Sequence, residues 1–311
     1  MDRIVDIATD GRHLALFRGF MVVKAEGEEV GRIALDDIHA LIVHAHGTTW
    51  SANLVAALAE RGAPIVFCGN NHSPVAVTLP LDGHHAQGAR IQAQWNASRP
   101  LAKQLWRLIV IAKIRNQAAL LEARGVREAE ALHFMSRRVR SGDPDNIEAQ
   151  AAKRYWPLLM GTDFRRDRDQ EGANALLNYG YAVMRASVAR AVVAAGLHPT
   201  IGIHHANRGN AFALADDLVE PFRPLVDALV VGMTGEGIAT VDTEAKRRFA
   251  RLIAFDLRIG GEASPVSVAA VKLTQSLAHS FETGAPALAL FDPPSPIEWG
   301  ALPRSTLAEA A

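Results

Sequence analysis

The chain has 311 residues, 49% of them hydrophobic, with 33 basic and 33 acidic side chains, enough length for a sizeable core and for two domains. Its apolar runs, such as Leu108 to Ala112, stop far short of the ~18 residues of a membrane span, and the start, with Asp2, Asp6 and Asp10, is unlike a secretory signal. A cytoplasmic protein is expected, and Cys68, the single cysteine, excludes an internal disulfide or a cysteine-built zinc site.

Residues 1–82 read as strands and turns. RIVDIAT, HLALFRG, GFMVVKAEG and EEVGRIAL are separated by Gly11, Gly19, Gly27 and Gly31, and Asp36 to Val43 continues as a half-buried strand. Ser51 caps a predicted helix from Ala52 to Arg61, ended by Gly62; PIVFCG, a turn at Asn70 and Asn71, and PVAVTLP complete a small β-rich, sandwich-like domain. His39, His44, His46 and His72 share no spacing and read as ordinary histidines. Residues 83–100 are polar and glycine-containing, and read as a linker with solvent-facing His84 and His85.

From 101 to 290 the pattern is helical, which makes the fold class α+β with a larger all-α second domain. Leu105, Leu108, Ile109, Ala112, Ala119 and Leu120 trace one face of a first long helix, with Asn116 its polar member and Gly125 its stop. Glu128 to Val139 is a second helix, closing on Arg137, Arg138 and Arg140. In SGDPDNIEAQAAKRYW, Asp143 is the expected cap and Pro144 the first helical residue, with Glu148 one turn in and Ala149, Ala151 and Ala152 leaving room around it. Asn174 to Ala195 should cross the core; helices near Thr243 to Ala254 and Pro265 to Phe281 follow, and 291–311 reads as a proline-rich, poorly ordered tail.

Zero net charge conceals a skew. Residues 99–168 hold 15 basic and 8 acidic side chains, while both flanks are negative, as expected when a basic strip faces phosphate and acids gather elsewhere. Arg99, Lys103, Arg107, Lys113 and Arg115 belong to this strip, with Arg137, Arg138 and Arg140.

The densest chemistry lies in GIHHANRGNAFALADDLVEPFRP, Gly202 to Pro224. A loop with His204 and His205 feeds a helix on which Phe212, Ala215, Val219 and Phe222 share one side and Asp216, Asp217 and Glu220 the other. Three acids on a polar helix face ordinarily just meet water. Pro221 lacks the amide hydrogen for the carbonyl of Asp217, so this helix should kink or end just after Glu220.

Glu148 in its alanine-lined helix, the histidine of GIHH and the acid of DDLVEPFRP together resemble the CRISPR-associated spacer integrase family, Cas one. GLHPTIGIHH, NAFALADDLVEPFRP and DNIEAQAAKRYW look most like its type II branch. The resemblance spans nearly the whole chain and implies that Glu148, His205 and Glu220 bind Mg²⁺ or Mn²⁺ and carry catalysis, Glu220 standing where some relatives have aspartate. His205 is alternatively an acid or base near pH 7. Asp217 is the expected auxiliary acid, and Arg223 a partner for phosphate or for one of these acids. Also implied are a homodimer formed through the β-rich domain, dimers bridged by the Cas two protein, double-stranded DNA fragments and CRISPR repeat DNA as substrates, and the type II effector nuclease machinery as a further associate. The activity so implied inserts captured DNA fragments as spacers by attack of a 3′ hydroxyl on a phosphodiester. The rival readings are a general or branched-DNA nuclease and a non-catalytic DNA-binding scaffold.

Overall fold

Strand-forming residues of the first eighty positions pair into two four-stranded sheets. The computed structural model describes residues 3–69, 74–81, 83–167, 169–205, 207 and 209–303; Asn70, Asn71 and His72 lie outside the described residues. The strands are β1 (Arg3–Ile7), β2 (Arg12–Phe17), β3 (Phe20–Ala25), β4 (Glu28–Ala34), β5 (Ile38–Val43), β6 (Thr49–Trp50), β7 (Ile65–Cys68) and β8 (Pro74–Thr78), with helix α1 (Ala52–Glu60) between β6 and β7. One sheet has the order β1-β5-β7-β8, parallel except for β8, and the other β4-β3-β2-β6.

β5 is buried along its whole length, not half-buried as its pattern suggests. Its alternate residues serve two cores: Ala40 and Ile42 face the helices, while Leu41 and Val43 pack with Leu14, Met21 and Leu54. A strand covered on both faces reads as a continuous apolar run.

The helices are α2 (Gln87–Trp95), α3 (Arg99–Ala123), α4 (Ala129–Arg138), α5 (Ile147–Met160), α6 (Ala173–Ala194), α7 (Ala213–Val219), α8 (Arg223–Gly235), α9 (Thr243–Leu252), α10 (Val266–Thr283) and α11 (Pro296–Gly300). A strand-rich first part followed by a mostly helical second part is the expected α+β class. α6 is buried almost all round and forms the centre, as its Ala, Leu and Val content requires. Among the described residues no helix is long and apolar enough to cross a membrane.

Three stretches differ from their sequence reading. The presumed linker carries α2, whose buried Gln94 side chain donates to the carbonyls of His198 (3.0 Å) and Ile201 (2.7 Å) and accepts from the amide of His198 (2.8 Å). One carboxamide thereby fixes the chain entering the histidine loop. The helical region also contains a hairpin, β9 (Asp256–Ile259) with β10 (Glu262–Pro265), turning at Gly260 and Gly261, both at positive φ; this Gly-Gly signal lay inside an otherwise helical pattern. Within the presumed tail, Phe291, Trp299 and Leu302 are buried in the main core, and Ser295 forms a capping box with Glu298 at the start of α11. The proline count concealed three apolar anchors; residues 304–311 lie outside the described residues.

Asp227 ties three helices together. Its carboxylate on α8 accepts the hydroxyls of Tyr155 on α5 (2.8 Å) and Tyr181 on α6. Burial nevertheless pushes this carboxyl up to about 6 from 3.8. Its contribution to stability is therefore fully present below about pH 4 and fades as pH rises through 6. Asp227→Asn keeps the volume without the charge, so its thermal midpoint relative to wild type is expected to rise across that window, by on the order of 2–3 kcal/mol of relative stability. Parallel melting curves for the two proteins from pH 4 to 7 would count against this.

Candidate active site

The site is built on α3, where Trp106, Lys113 and Asn116 face inward and are buried or nearly so. Opposite lies the break made by Pro221. Keeping a proline inside one helix costs about 3 kcal/mol or more, and the chain instead passes from α7 through a single 3-10 turn, Glu220–Phe222, into α8. Asn116 donates its side-chain amide to the Pro221 carbonyl at 2.9 Å, so the polar member of an apolar face anchors the turn that presents Glu220.

Glu148 is placed by a strained turn. Asp143 and Asn146 both hold positive φ, 46° and 52°, which non-glycine residues adopt at a cost of order 1 kcal/mol or more. Asn146 is the N-cap, three residues later than expected, and the Asp143 carboxylate accepts the amides of Ile147 (2.9 Å) and Glu148 (3.0 Å). The displaced Asp143 thus still satisfies two free N–H groups of the first turn.

The histidine loop is folded around Asp217, which is fully buried and does not meet solvent. Its carboxylate accepts the amides of Ile203 (2.6 Å), His204 (3.0 Å) and His205 (3.2 Å), and His205 Nδ1 donates to it at 2.6 Å. Gly202 is required here, since a Cβ would lie 2.4 Å from the His205 carbonyl oxygen. The bond to Asp217 raises the His205 pKa against the opposing effect of burial, and it directs Nε2 away from the carboxylate. His204 stacks flat on Trp106, with ring centroids 4.2 Å apart.

The two glutamates meet at a cation. Lys113 Nζ lies 2.6 Å from Glu148 Oε1 and also contacts Glu220 Oε2, while Arg223 Nε is 2.8 Å from Glu220 Oε1. Burial alone would raise the Glu220 carboxyl, but Arg223 and Lys113 hold it below its ordinary range. The same acids outweigh burial at Lys113 and raise its ammonium. Asp216 pairs with Arg185 at 2.7 Å. The acids on the supposedly solvated face are therefore drawn inward, each with cations or N–H groups that make its burial tolerable.

Arg137, Arg138 and Arg140 are exposed at the end of α4, which packs against α3 and α5. Arg138 lies over the exposed Phe134 ring, and Arg140 grips Asp145 with two bonds of 2.8 and 2.7 Å. Lys113, which the sequence groups with this basic strip, is instead interior. Sequence reasoning also missed a cleft of about 410 Å³ that reaches His205 and is lined by Arg166, Arg185, Arg223, Tyr181 and Asn210. Guanidinium and amide groups suit phosphate, but these residues come from distant segments and share no motif.

Among the described residues, no three His, Cys, Asp or Glu side chains surround one point as a cation's ligands. Glu148 and Glu220 meet through Lys113, and His205 turns Nδ1 to Asp217. The donors nevertheless fit a hard divalent ion in kind: two carboxylates converge on a point already filled by positive charge, and the His205 imidazole lies within electrostatic reach of Glu220.

The family model for CRISPR associated protein Cas1 matches residues 5–252. The CRISPR-associated endonuclease Cas1 of Neisseria meningitidis is 40% identical over 229 residues, covering 73% of this chain and 75% of that protein. A Cas1 endonuclease of Thermus thermophilus is 33% identical, with 75% and 76% covered. Among solved structures, a casposase bound to integration product superposes with a TM-score of 0.79 at 18% identity over 92% of both chains. A CAS1 protein from Thermotoga maritima gives 0.68 at 18% identity, over 93% of this chain and 99% of that one; these two likenesses establish shared fold. With the family model spanning most of its length, this chain belongs to the Cas1 family of CRISPR-associated endonucleases.

Proposed function

We propose that this chain is a metal-dependent DNA integrase that joins the 3′ hydroxyl of a captured fragment to a phosphodiester of a CRISPR repeat. The observation that carries the reading is the meeting of Glu148 and Glu220, far apart in sequence, at one positively charged point, with His205 close enough to feel the charge of Glu220. Glu148, Glu220 and the Nε2 of His205 would hold Mg²⁺ or Mn²⁺. Bound there, such an ion offsets charge building on the phosphate and favours the attacking alkoxide. Asp217 keeps the proton on Nδ1 and the ring in one orientation. Arg166, bonded to Asn174 and Asn178, and Arg185, paired with Asp216, line the cleft that a phosphate would enter, and Arg223 balances the charge of Glu220.

The remaining assignments belong to the same proposal. Arg137, Arg138 and Arg140 lie along the DNA backbone. Residues 1–82 form a dimerisation unit, 101–290 the catalytic unit, and the dimer associates with Cas2 and with type II effector machinery. Support for DNA and Cas2 as partners comes from structural neighbours described as a casposase bound to integration product and a Cas6-RT-Cas1–Cas2 complex.

The test is DNA binding and strand transfer measured on one preparation. With repeat-bearing plasmid and fragments, joined products are expected in Mg²⁺ or Mn²⁺ and none in chelator. Nicks without joining would leave a nuclease; bound DNA without either product would leave a scaffold. In the same binding assay, replacing Arg137, Arg138 and Arg140 with alanine should flatten the dependence of log K on log salt by about 0.9 for each phosphate no longer neutralised.

A further inference from the structure

We propose that Lys113 is the resident counter-ion of the glutamate pair, and that loading of a divalent cation expels its ammonium from between Glu148 and Glu220. This rests on the metal-dependent reading above. Lys113 Nζ bonds Glu148 Oε1 at 2.6 Å and contacts Glu220 Oε2, and its side chain is only 11% exposed. A hard cation binds through those same carboxylate oxygens. Two positive charges cannot share them at bonding distance without strong repulsion in so enclosed a place. The residue suits displacement: an ammonium is a compact charge on a flexible four-carbon stem, without the fixed fork of arginine. Arg223, held on the opposite oxygen of Glu220, stays with the acid in both states.

Two consequences follow. In metal-free protein Lys113 keeps two enclosed carboxylates from repelling each other, so it holds the start of α5 against the turn before α8. Each metal ion must also compete with a tethered ammonium, so the lysine sets the concentration at which the site fills.

The first test uses the wild-type chain, amine acetylation and peptide mass spectrometry, with the exposed Lys153 as internal control. Lys113 is expected to be protected in chelator and to acetylate several-fold faster in saturating Mn²⁺, with Lys153 unchanged. The second uses Lys113→Met, which is expected to melt at lower temperature in chelator yet bind Mn²⁺ about tenfold more tightly by electron paramagnetic resonance titration. Labelling of wild-type Lys113 that stays flat or falls in Mn²⁺ overturns the inference, as does Mn²⁺ binding by Lys113→Met that is no tighter than wild type; should that variant not fold, the labelling result decides. Wild-type Mn²⁺ binding that is lost in Glu148→Ala, with Lys113 labelling unmoved, removes this inference alone. No Mn²⁺ binding by wild type removes the metal-dependent reading and the inference together.

Discussion

Glu148→Ala protein is expected to bind DNA in chelator as tightly as wild type while losing strand transfer in Mg²⁺ or Mn²⁺ by orders of magnitude. Without metal the two glutamates are balanced by Lys113 and Arg223 and offer phosphate no attraction, so removing one does not weaken the hold of the exposed arginines on DNA. With metal, the missing carboxylate is half of the acidic donor set, and a cation contributes several kcal/mol to a phosphoryl transition state. The effect of Glu220→Ala on chemistry should be as large, but its structural cost differs. Glu220 faces both Lys113 and Arg223 and is nearly fully buried, so truncation strands Arg223 and leaves Lys113 with Glu148 alone, a change worth about 3–5 kcal/mol when a buried pair is broken. Glu148 is the more exposed of the two, and Lys113 keeps Glu220 when it is removed. Glu220→Gln, which preserves shape, separates the two effects. Thermal melts alongside equilibrium binding and strand transfer check the whole set, and near-normal strand transfer by any folded variant would release that residue from the proposed catalytic role.

Asp217→Ala is expected to cost several kcal/mol of stability and to abolish strand transfer. The substitution removes the acceptor of three backbone amides and of the His205 ring, an acceptor that is itself closed to water. Each buried donor left unpaired costs about 1–3 kcal/mol. Asp217→Asn is no remedy, because its NH₂ must point at one of two pairs of N–H donors. His205→Ala, by contrast, removes a half-exposed ring and leaves those amides satisfied, so it should melt close to wild type while losing activity. Chemical denaturation of the three variants distinguishes loop collapse from loss of the imidazole. An Asp217→Ala protein as stable as His205→Ala would show that the loop is held by something else.

Local rules made much of the site legible. Pro221 breaks the helix around Glu220 as its missing amide hydrogen demands, while Asp216, Asp217 and Glu220, expected on one solvated side, turn to Arg185, to the histidine loop and to Lys113. The α5 start is a capped turn, as its sequence predicts, but two residues at positive φ carry the chain past Pro144, so Asn146 and not Asp143 is the cap. The apolar pattern of α3 was likewise clear, and its one polar intruder, Asn116, proved to be an anchor for the Pro221 carbonyl.

What the sequence by itself determined was thus the division into a strand-rich first part and a helical second, most of the elements within each, the family, and the residue types that local geometry sets side by side. These depend on φ/ψ preference, periodicity and missing donors, which act within a few residues. Only the tertiary structure decided which charges are interior. Lys113 looks like any lysine of a basic strip until Glu148 and Glu220 arrive from α5 and the Pro221 turn to enclose it. Gln94 looks like linker until the His198 to Ile201 segment crosses it, and Trp299 looks like tail until it docks on the main core. Burial of a polar group is set by partners distant in the chain, and a charge is carried inside only where those partners neutralise it.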